Sequence, residues 1–154
     1  MKTRMLFAVG FVLMAGAPTE DVIKKEKEKL TGTWKVVSVE ANGQTVPEAA
    51  LKDFRFIFTA DALTRKQGEK AESGAGYQLD PSRTPKWIDM TGKEDGKDHS
   101  IPALYALEGD TLTLCFRTDY KQKTKDKQPL ERPTKLDGGK ASEQVLMVLK
   151  REKP

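Results

Sequence analysis

The stretch that decides the fold is Leu30-Thr31-Gly32-Thr33-Trp34-Lys35-Val36-Val37-Ser38-Val39-Glu40. It reads as a β-strand that opens with Gly-x-Trp. The glycine permits a tight chain entry and a close backbone approach. The indole that follows is large enough to fill the narrow end of a closed barrel. We therefore predict that the rest of the chain is a meander of strands closing around Trp34.

Short alternating runs continue to the end of the chain, joined mostly by turns of hairpin length. Asn42-Gly43 is a strong hairpin signal. Residues 101–107 and 111–117 form the clearest hairpin, and residues 143–151 form the last strand. No strand–helix alternation is present, which disfavours a parallel sheet. The pattern predicts an all-β, antiparallel up-and-down β-barrel of about eight strands with one or two short helical turns.

Composition divides the 154-residue chain into three parts. Residues 1–17 read as a secretory signal peptide, because Lys2 and Arg4 precede an apolar run that ends at the small residues Ala15-Gly16-Ala17. Residues 18–29 are a charged lead-in, predicted as a short exposed helix or a linker, and residues 30–154 form the barrel domain. Cleavage removes two basic residues and lowers the formal net charge from +4 to +2. We expect export to the periplasm or extracellular space, with no membrane span after cleavage.

Three polar segments, 67–74, 92–100 and 118–139, are predicted as loops. Within the last, a lysine stands at every second position from Lys121 to Lys127. On a strand these lysines would form one basic face. Since few aromatic residues accompany them, we interpret them as a soluble edge and predict no nucleic-acid binding.

The residue types that carry chemistry are sparse. His99 is the only histidine, which excludes a multi-histidine metal site, and with Asp95 and Asp98 it is interpreted as part of a solvated loop. Cys115, the only cysteine, is either a thiol packed in or against the barrel or a ligand-facing thiol near Arg132. Asp89 is interpreted as a structural ion-pair partner of Lys86 or Arg132. We predict no catalytic site, no metal and no cofactor.

The ordered motifs resemble those of known proteins. Gly32-Thr33-Trp34 resembles the lipocalin signature, in which a basic residue of the last strand packs over the tryptophan. Arg151 is the matching candidate here, and Lys150 is the alternative one position away. The chain is more closely similar to a lipocalin-like domain family of uncharacterised exported bacterial proteins, typically of planctomycetes. The matching stretches are 30–37, Asn42-Gly43, 85–89, 105–115, Arg132-Pro133 and Leu149-Lys150-Arg151. The resemblance implies a lipocalin-like barrel closed by Gly32, Trp34 and Arg151, and export; it carries over no activity.

The predicted function therefore rests on the barrel interior. We predict a monomer that binds a small apolar or amphipathic molecule in its calyx. The candidate ligand-binding residues are Tyr77, Trp87, Tyr105, Cys115, Arg117 and Arg132. The alternative is a packed barrel that serves as a structural or protein-interaction module and holds no small ligand.

Overall fold

A computed structural model describes residues 16–94 and 96–154 of the chain. The predicted signal peptide lies outside the described residues, except for Gly16 and Ala17, and so does Asp95. The rest of the chain contains nine strands and three helices. They are α1 (Glu20–Leu30), β1 (Gly32–Ala41), β2 (Gln44–Thr45), α2 (Glu48–Leu51), β3 (Phe54–Phe58), β4 (Ala62–Gln67), β5 (Lys70–Asp80), β6 (Lys86–Glu94), β7 (Lys97–Glu108), β8 (Thr111–Arg117), α3 (Tyr120–Lys125) and β9 (Gln144–Arg151).

Eight of the strands form a closed antiparallel barrel. Each of β3 to β8 pairs with the next strand along the chain, and β1 pairs with both β3 and β9, which closes the ring. The short β2 pairs with β1 alone, through a hairpin in which Asn42 and Gly43 have φ of 52° and 74°. Asn-Gly suits this turn because both central residues need positive φ. The predicted eight-stranded up-and-down barrel is confirmed.

One end of the barrel is closed by its first strand and by α1. Gly32 pairs with Phe58 and Trp34 pairs with Arg151, so the start of β1 lies beside the ends of β3 and β9. The Arg151 guanidinium lies over the Trp34 indole, with Cζ 4.2 Å from the ring centroid. A Cβ added at Gly32, whose φ is 134°, would lie 3.1 Å from Nη1 of Arg151. The contact predicted between the last strand and the tryptophan is therefore present, and Gly32 leaves room for it.

Helix α1 covers this end, called the helix end below. Thr19 caps its N-terminus, with Oγ1 accepting a hydrogen bond from the backbone N–H of Val22 at 3.4 Å. The indole N–H of Trp34 donates to the Leu30 carbonyl at 2.7 Å, which ties the helix to the barrel. Glu26 and Leu30 are 5% and 0% exposed. The predicted exposed lead-in is thus a three-turn helix with two buried residues, a correction that follows from its position over the barrel.

The half of the barrel nearest the helix end is filled by side chains. Phe58 and Tyr77 meet edge to face, with ring centroids 5.3 Å apart and an interplanar angle of 84°. Trp34 and Tyr105 are fully buried beside them in the same core cluster. These rings pack in one core cluster that fills this half of the barrel with the protein's own side chains.

Two of the segments predicted as loops are strands instead. Strands β4 and β5 pair as far as Gln67 and Lys70, and β6 and β7 pair as far as Glu94 and Lys97. Both hairpins extend past the apolar part of the barrel. Their ladders form between backbone groups and do not need apolar side chains, so the polar sequence conceals them.

The lysine-rich segment is also different from its prediction. Residues 120–125 form the short helix α3 rather than part of a loop or a soluble edge. Its Lys123 lies 3.3 Å from the Asp119 carboxylate, an ion pair at i, i+4 spacing. Such a pair supports a helical turn and has no equivalent on a strand, where positions four apart lie too far from each other.

Candidate functional site

A cavity of about 700 Å³ lies at the end of the barrel opposite α1. We call it the mouth cavity. Strands β3 to β8 supply its walls, and α3 borders it. Its apolar wall is formed by Phe56, Leu63, Met90, Ile101, Leu114 and Phe116, and its polar lining includes Arg65, Glu72, Lys93, Asp98, His99 and Lys121. Small-molecule sites commonly combine an apolar wall with a few polar groups in this way.

Strand alternation positions the apolar wall. Leu112, Leu114 and Phe116 alternate with outward residues on β8, and they pass from the filled core to the cavity in that order. The cross-strand pair of Met90 and Ile101 continues the wall on β6 and β7. These inward positions follow from the period of two that strand geometry imposes.

Charged side chains occupy the rim in cross-strand pairs. Arg65 of β4 stands opposite Glu72 of β5, and the two form an ion pair. Lys93 of β6 stands opposite Asp98 of β7, with 3.9 Å between Nζ and Oδ1. The side chains of the second pair are both 76% exposed, whereas that of Arg65 is only 41% exposed. Arg65 is therefore the least exposed of these four charged side chains, and its cross-strand partner on β3 is Phe56 of the apolar wall.

His99 lines the mouth cavity and is not part of a solvated loop, which corrects its prediction. It pairs with Gly92 across the β6–β7 hairpin. A Cβ added at Gly92 would lie 3.1 Å from both Cε1 and Nε2 of the imidazole, so the glycine makes room for the ring. The Nδ1 atom is buried and has no hydrogen-bond partner among the described residues. The spacing of two between His99 and Ile101 was the signal that could have placed it inside.

The structure does not bring the six predicted ligand-binding residues together. Tyr77 and Tyr105 point into the filled half of the barrel and are 3% and 0% exposed. The Tyr77 hydroxyl donates to the Thr59 carbonyl at 2.6 Å, and the Tyr105 hydroxyl donates to Glu26 at 3.1 Å. Burial raises the pKa of Tyr77 to about 12, and burial with the nearby Glu26 raises that of Tyr105 further. Both hydroxyls serve the protein's own structure and lie outside the mouth cavity.

The other four lie on the outside of the barrel. Residues 126–143, called the outer strap below, run over this face. Arg132 of the strap donates to the Ala103 carbonyl at 2.8 Å and to Asp89 at 2.6 Å. Its guanidinium carbon lies 4.2 Å from the centroid of Trp87. Arg132 therefore fastens the strap to β6 and β7, and one of the two partners predicted for Asp89 is the observed one.

Cys115 lies beneath the outer strap and is fully buried. Its thiol is 3.6 Å from the carbonyl oxygen of Lys135 and 3.8 Å from that of Asp137. Burial raises the pKa of the Cys115 thiol, which keeps it protonated and unreactive. Of the two roles considered, the structure shows a packed thiol against the outer wall.

Arg117, the last residue of β8, forms ion pairs with two carboxylates, one at each end of the segment that joins β8 to β9. Its Nη2 lies 3.3 Å from Asp119 and 2.8 Å from Glu143. These ion pairs raise the pKa of Arg117 and lower that of Asp119. The residue joins the two ends of the segment that carries α3 and the outer strap, so its role here is structural.

Because the outer strap covers Cys115, loosening the strap should make the Cys115 thiol more reactive. Replacing Arg132 with alanine removes charge-assisted hydrogen bonds and should raise the population of strap-open molecules by about ten-fold or more. We expect native Cys115 to react slowly with Ellman's reagent at pH 8 and the variant to react faster by the same factor. Arg83 also lies over Trp87, with Cζ 4.3 Å from the ring centroid, but it is not part of the strap. An unchanged rate in Arg132→Ala, or an equal increase in Arg83→Ala, would contradict this role.

Two features are absent from residues 16–94 and 96–154. Over that range, no group of three or more His, Cys, Asp or Glu side chains is placed to hold a metal ion. Over the same range, no helix has the length and apolar character needed to cross a membrane.

The fold and the mouth cavity together define a closed antiparallel β-barrel with a cavity at one end. Comparisons with protein-family models, with curated proteins and with solved structures found no match. A function is therefore inferred from the geometry of the barrel itself.

Proposed function

We propose that the protein is an exported, monomeric, lipocalin-like barrel that binds a small apolar or amphipathic molecule in the mouth cavity. The observation that carries this proposal is the cavity of about 700 Å³, whose inner wall is apolar and whose rim is charged. That volume lies within the range of small-molecule sites, roughly 300–1,000 Å³. A barrel packed along its whole length, as the alternative requires, would have no such space.

In this proposal one half of the barrel provides stability and the other half binds the ligand. The helix end holds Trp34, Phe58, Tyr77 and Tyr105, which supply the packed core that keeps the barrel closed. The mouth end leaves side chains such as Phe56 and Phe116 only partly buried. Covering that apolar surface with a ligand would contribute about 25 cal/mol for each Å² removed from water. Binding therefore needs no rearrangement of the core.

A cavity-filling substitution tests the proposal. Ala75 lines the mouth cavity, and tryptophan at that position would occupy part of its volume. We expect Ala75→Trp to weaken binding of the neutral fluorescent probe N-phenyl-1-naphthylamine by about ten-fold or more, equal to about 1.4 kcal/mol. Fluorescence titration of the purified protein measures the effect.

The matched control is Ala106→Trp. Ala106 pairs with Thr113 and alternates with the inward Tyr105 and Leu107, so its side chain faces outward. We expect its affinity for the probe to stay within about two-fold of the parent value, since distant surface substitutions change little. Failure of the parent protein to bind the probe, together with no copurifying small molecule in native mass spectrometry, would overturn the proposal.

A further inference from the structure

The row of residues that contains Arg65 leads from the closed end of the barrel to its mouth. Trp34, Phe56, Arg65 and Glu72 are successive cross-strand partners on β1, β3, β4 and β5. Phe56 belongs to the apolar wall, and Arg65 is its direct neighbour. An arginine next to an apolar wall can lay its aliphatic stem along that wall and present its charged group at the rim.

The four charged side chains at the rim of the mouth cavity differ in how far they are exposed to solvent. The Arg65 side chain is 41% exposed, whereas that of Glu72 is 66% exposed. Lys93 and Asp98 are each 76% exposed. Among these four, the group that a ligand would meet first on leaving the apolar wall is therefore cationic.

Arg65 has hydrogen-bond donors to spare for a ligand. A guanidinium carries five N–H donors in a planar fork that matches the two oxygens of a carboxylate. Within residues 16–94 and 96–154, the hydrogen-bond acceptor of the Arg65 guanidinium is Glu72, and Nη2 is the atom that donates to it. Because Glu72 is mostly exposed, it can turn toward water when a second anion arrives. Lys93 and Lys121 line the same cavity and add two further cationic side chains.

We propose that the ligand of the mouth cavity is an anionic amphiphile, with its tail on the apolar wall and its head group bound by Arg65. This inference rests on the proposed binding function and specifies its ligand class. His99 lies on the wall as well and supplies a ring against which the ligand packs. A cationic amphiphile would place its charge beside the least exposed of the four charges, and a neutral one would leave the spare donors of Arg65 unused.

Three amphiphiles with the same alkyl chain test the inference. Decanoate, decanol and decyltrimethylammonium are titrated into the full mature protein at pH 8 by isothermal titration calorimetry, the two ionic compounds below their critical micelle concentrations and decanol below its solubility limit. We expect decanoate to bind at least about ten-fold more tightly than decanol, as a charge-assisted pair predicts, and decyltrimethylammonium to bind most weakly. Tighter binding of decanol or decyltrimethylammonium would overturn the inference while leaving the proposed function intact.

A pair of neighbouring variants assigns the effect to Arg65. Arg65→Gln should weaken decanoate binding about ten-fold and leave decanol within about two-fold. Lys66→Gln removes the same charge from the next residue of β4, which pairs with Arg55 and lines a different, outward surface. Equal losses of decanoate affinity in the two variants would contradict a local contact. If none of the three compounds binds the folded parent protein, the proposed function itself fails.

Discussion

Replacing Trp34 with alanine is expected to lower the free energy of unfolding by about 3–5 kcal/mol. The side chain is fully buried at the helix end, and truncation would leave a large void there. It would also remove the indole donor of the Leu30 carbonyl and the ring beneath Arg151. Since small domains are stable by only about 5–15 kcal/mol, this single change brings the barrel close to unfolding.

Urea denaturation followed by far-ultraviolet circular dichroism measures the loss without depending on tryptophan fluorescence. The matched control is Trp87→Ala, because Trp87 is the other tryptophan and also lies beneath arginine side chains. It is only half-buried and sits on the outer face, so we expect a loss of roughly 1–2 kcal/mol. A smaller loss in Trp34→Ala than in Trp87→Ala would contradict the role of Trp34 as the residue that closes the barrel.

The closure of the barrel could be read from the sequence because its signal is local. Gly32 and Trp34 stand two residues apart, and Arg151 belongs to the last strand, which must return to the first for the ring to close. Glycine, indole and guanidinium each have a specific steric or electrostatic role at that point. The hairpin signals between the strands then fix an antiparallel meander.

The inward and outward faces could not be assigned in the same way. Alternation separates two faces of a strand but does not show which is inside when both are apolar. Cys115 and Leu104 are both buried, yet they lie on the outer wall and are absent from the inner core cluster. The outer strap that covers Cys115 has no periodic pattern and reaches it from twenty residues away in sequence. For that reason the sequence pattern does not separate Trp87, Cys115 and Arg132 from Tyr77 and Tyr105, although the barrel wall does.

The polar part of the mouth cavity was missed for a related reason. His99 lies on a strand extension whose charged sequence resembles a loop, and Arg65 lies on a short polar strand just before the segment 67–74 that is predicted as a loop. The backbone ladder continues there without an apolar face to mark it. Only the pairing of His99 with Gly92 and of Arg65 with Phe56 shows that these side chains point inward.

Replacing Glu26 with alanine is expected to lower the free energy of unfolding by about 2–4 kcal/mol near neutral pH. Glu26 is 5% exposed and accepts hydrogen bonds from Lys86, Lys29 and the buried Tyr105 hydroxyl. Its removal leaves that hydroxyl without an acceptor and detaches α1 from β6. Glu28→Ala changes an exposed residue of the same helix, and we expect it to cost less than about 0.5 kcal/mol. Urea titration of both variants measures the difference.

The pH dependence separates the charge of Glu26 from its packing. Burial by itself would raise the pKa of Glu26, but the hydrogen bond and charge of Lys86, together with the hydrogen bonds from Lys29 and Tyr105, outweigh burial, so the pKa lies below its ordinary value of 4.5. A carboxyl whose pKa is lowered by folding stabilises the fold fully above its ordinary pKa, and that contribution is lost as pH falls through the lowered value. The difference in unfolding free energy between the parent protein and Glu26→Ala should therefore narrow from about pH 6 to about pH 3.

The pKa values of Asp80, Asp119 and Asp137 are also lowered, so both proteins weaken in acid. The control variant Glu28→Ala should follow the parent curve throughout. A difference between the parent protein and Glu26→Ala that stays constant over this range would show that Glu26 holds α1 through packing alone and that its ion pair with Lys86 adds nothing to the fold.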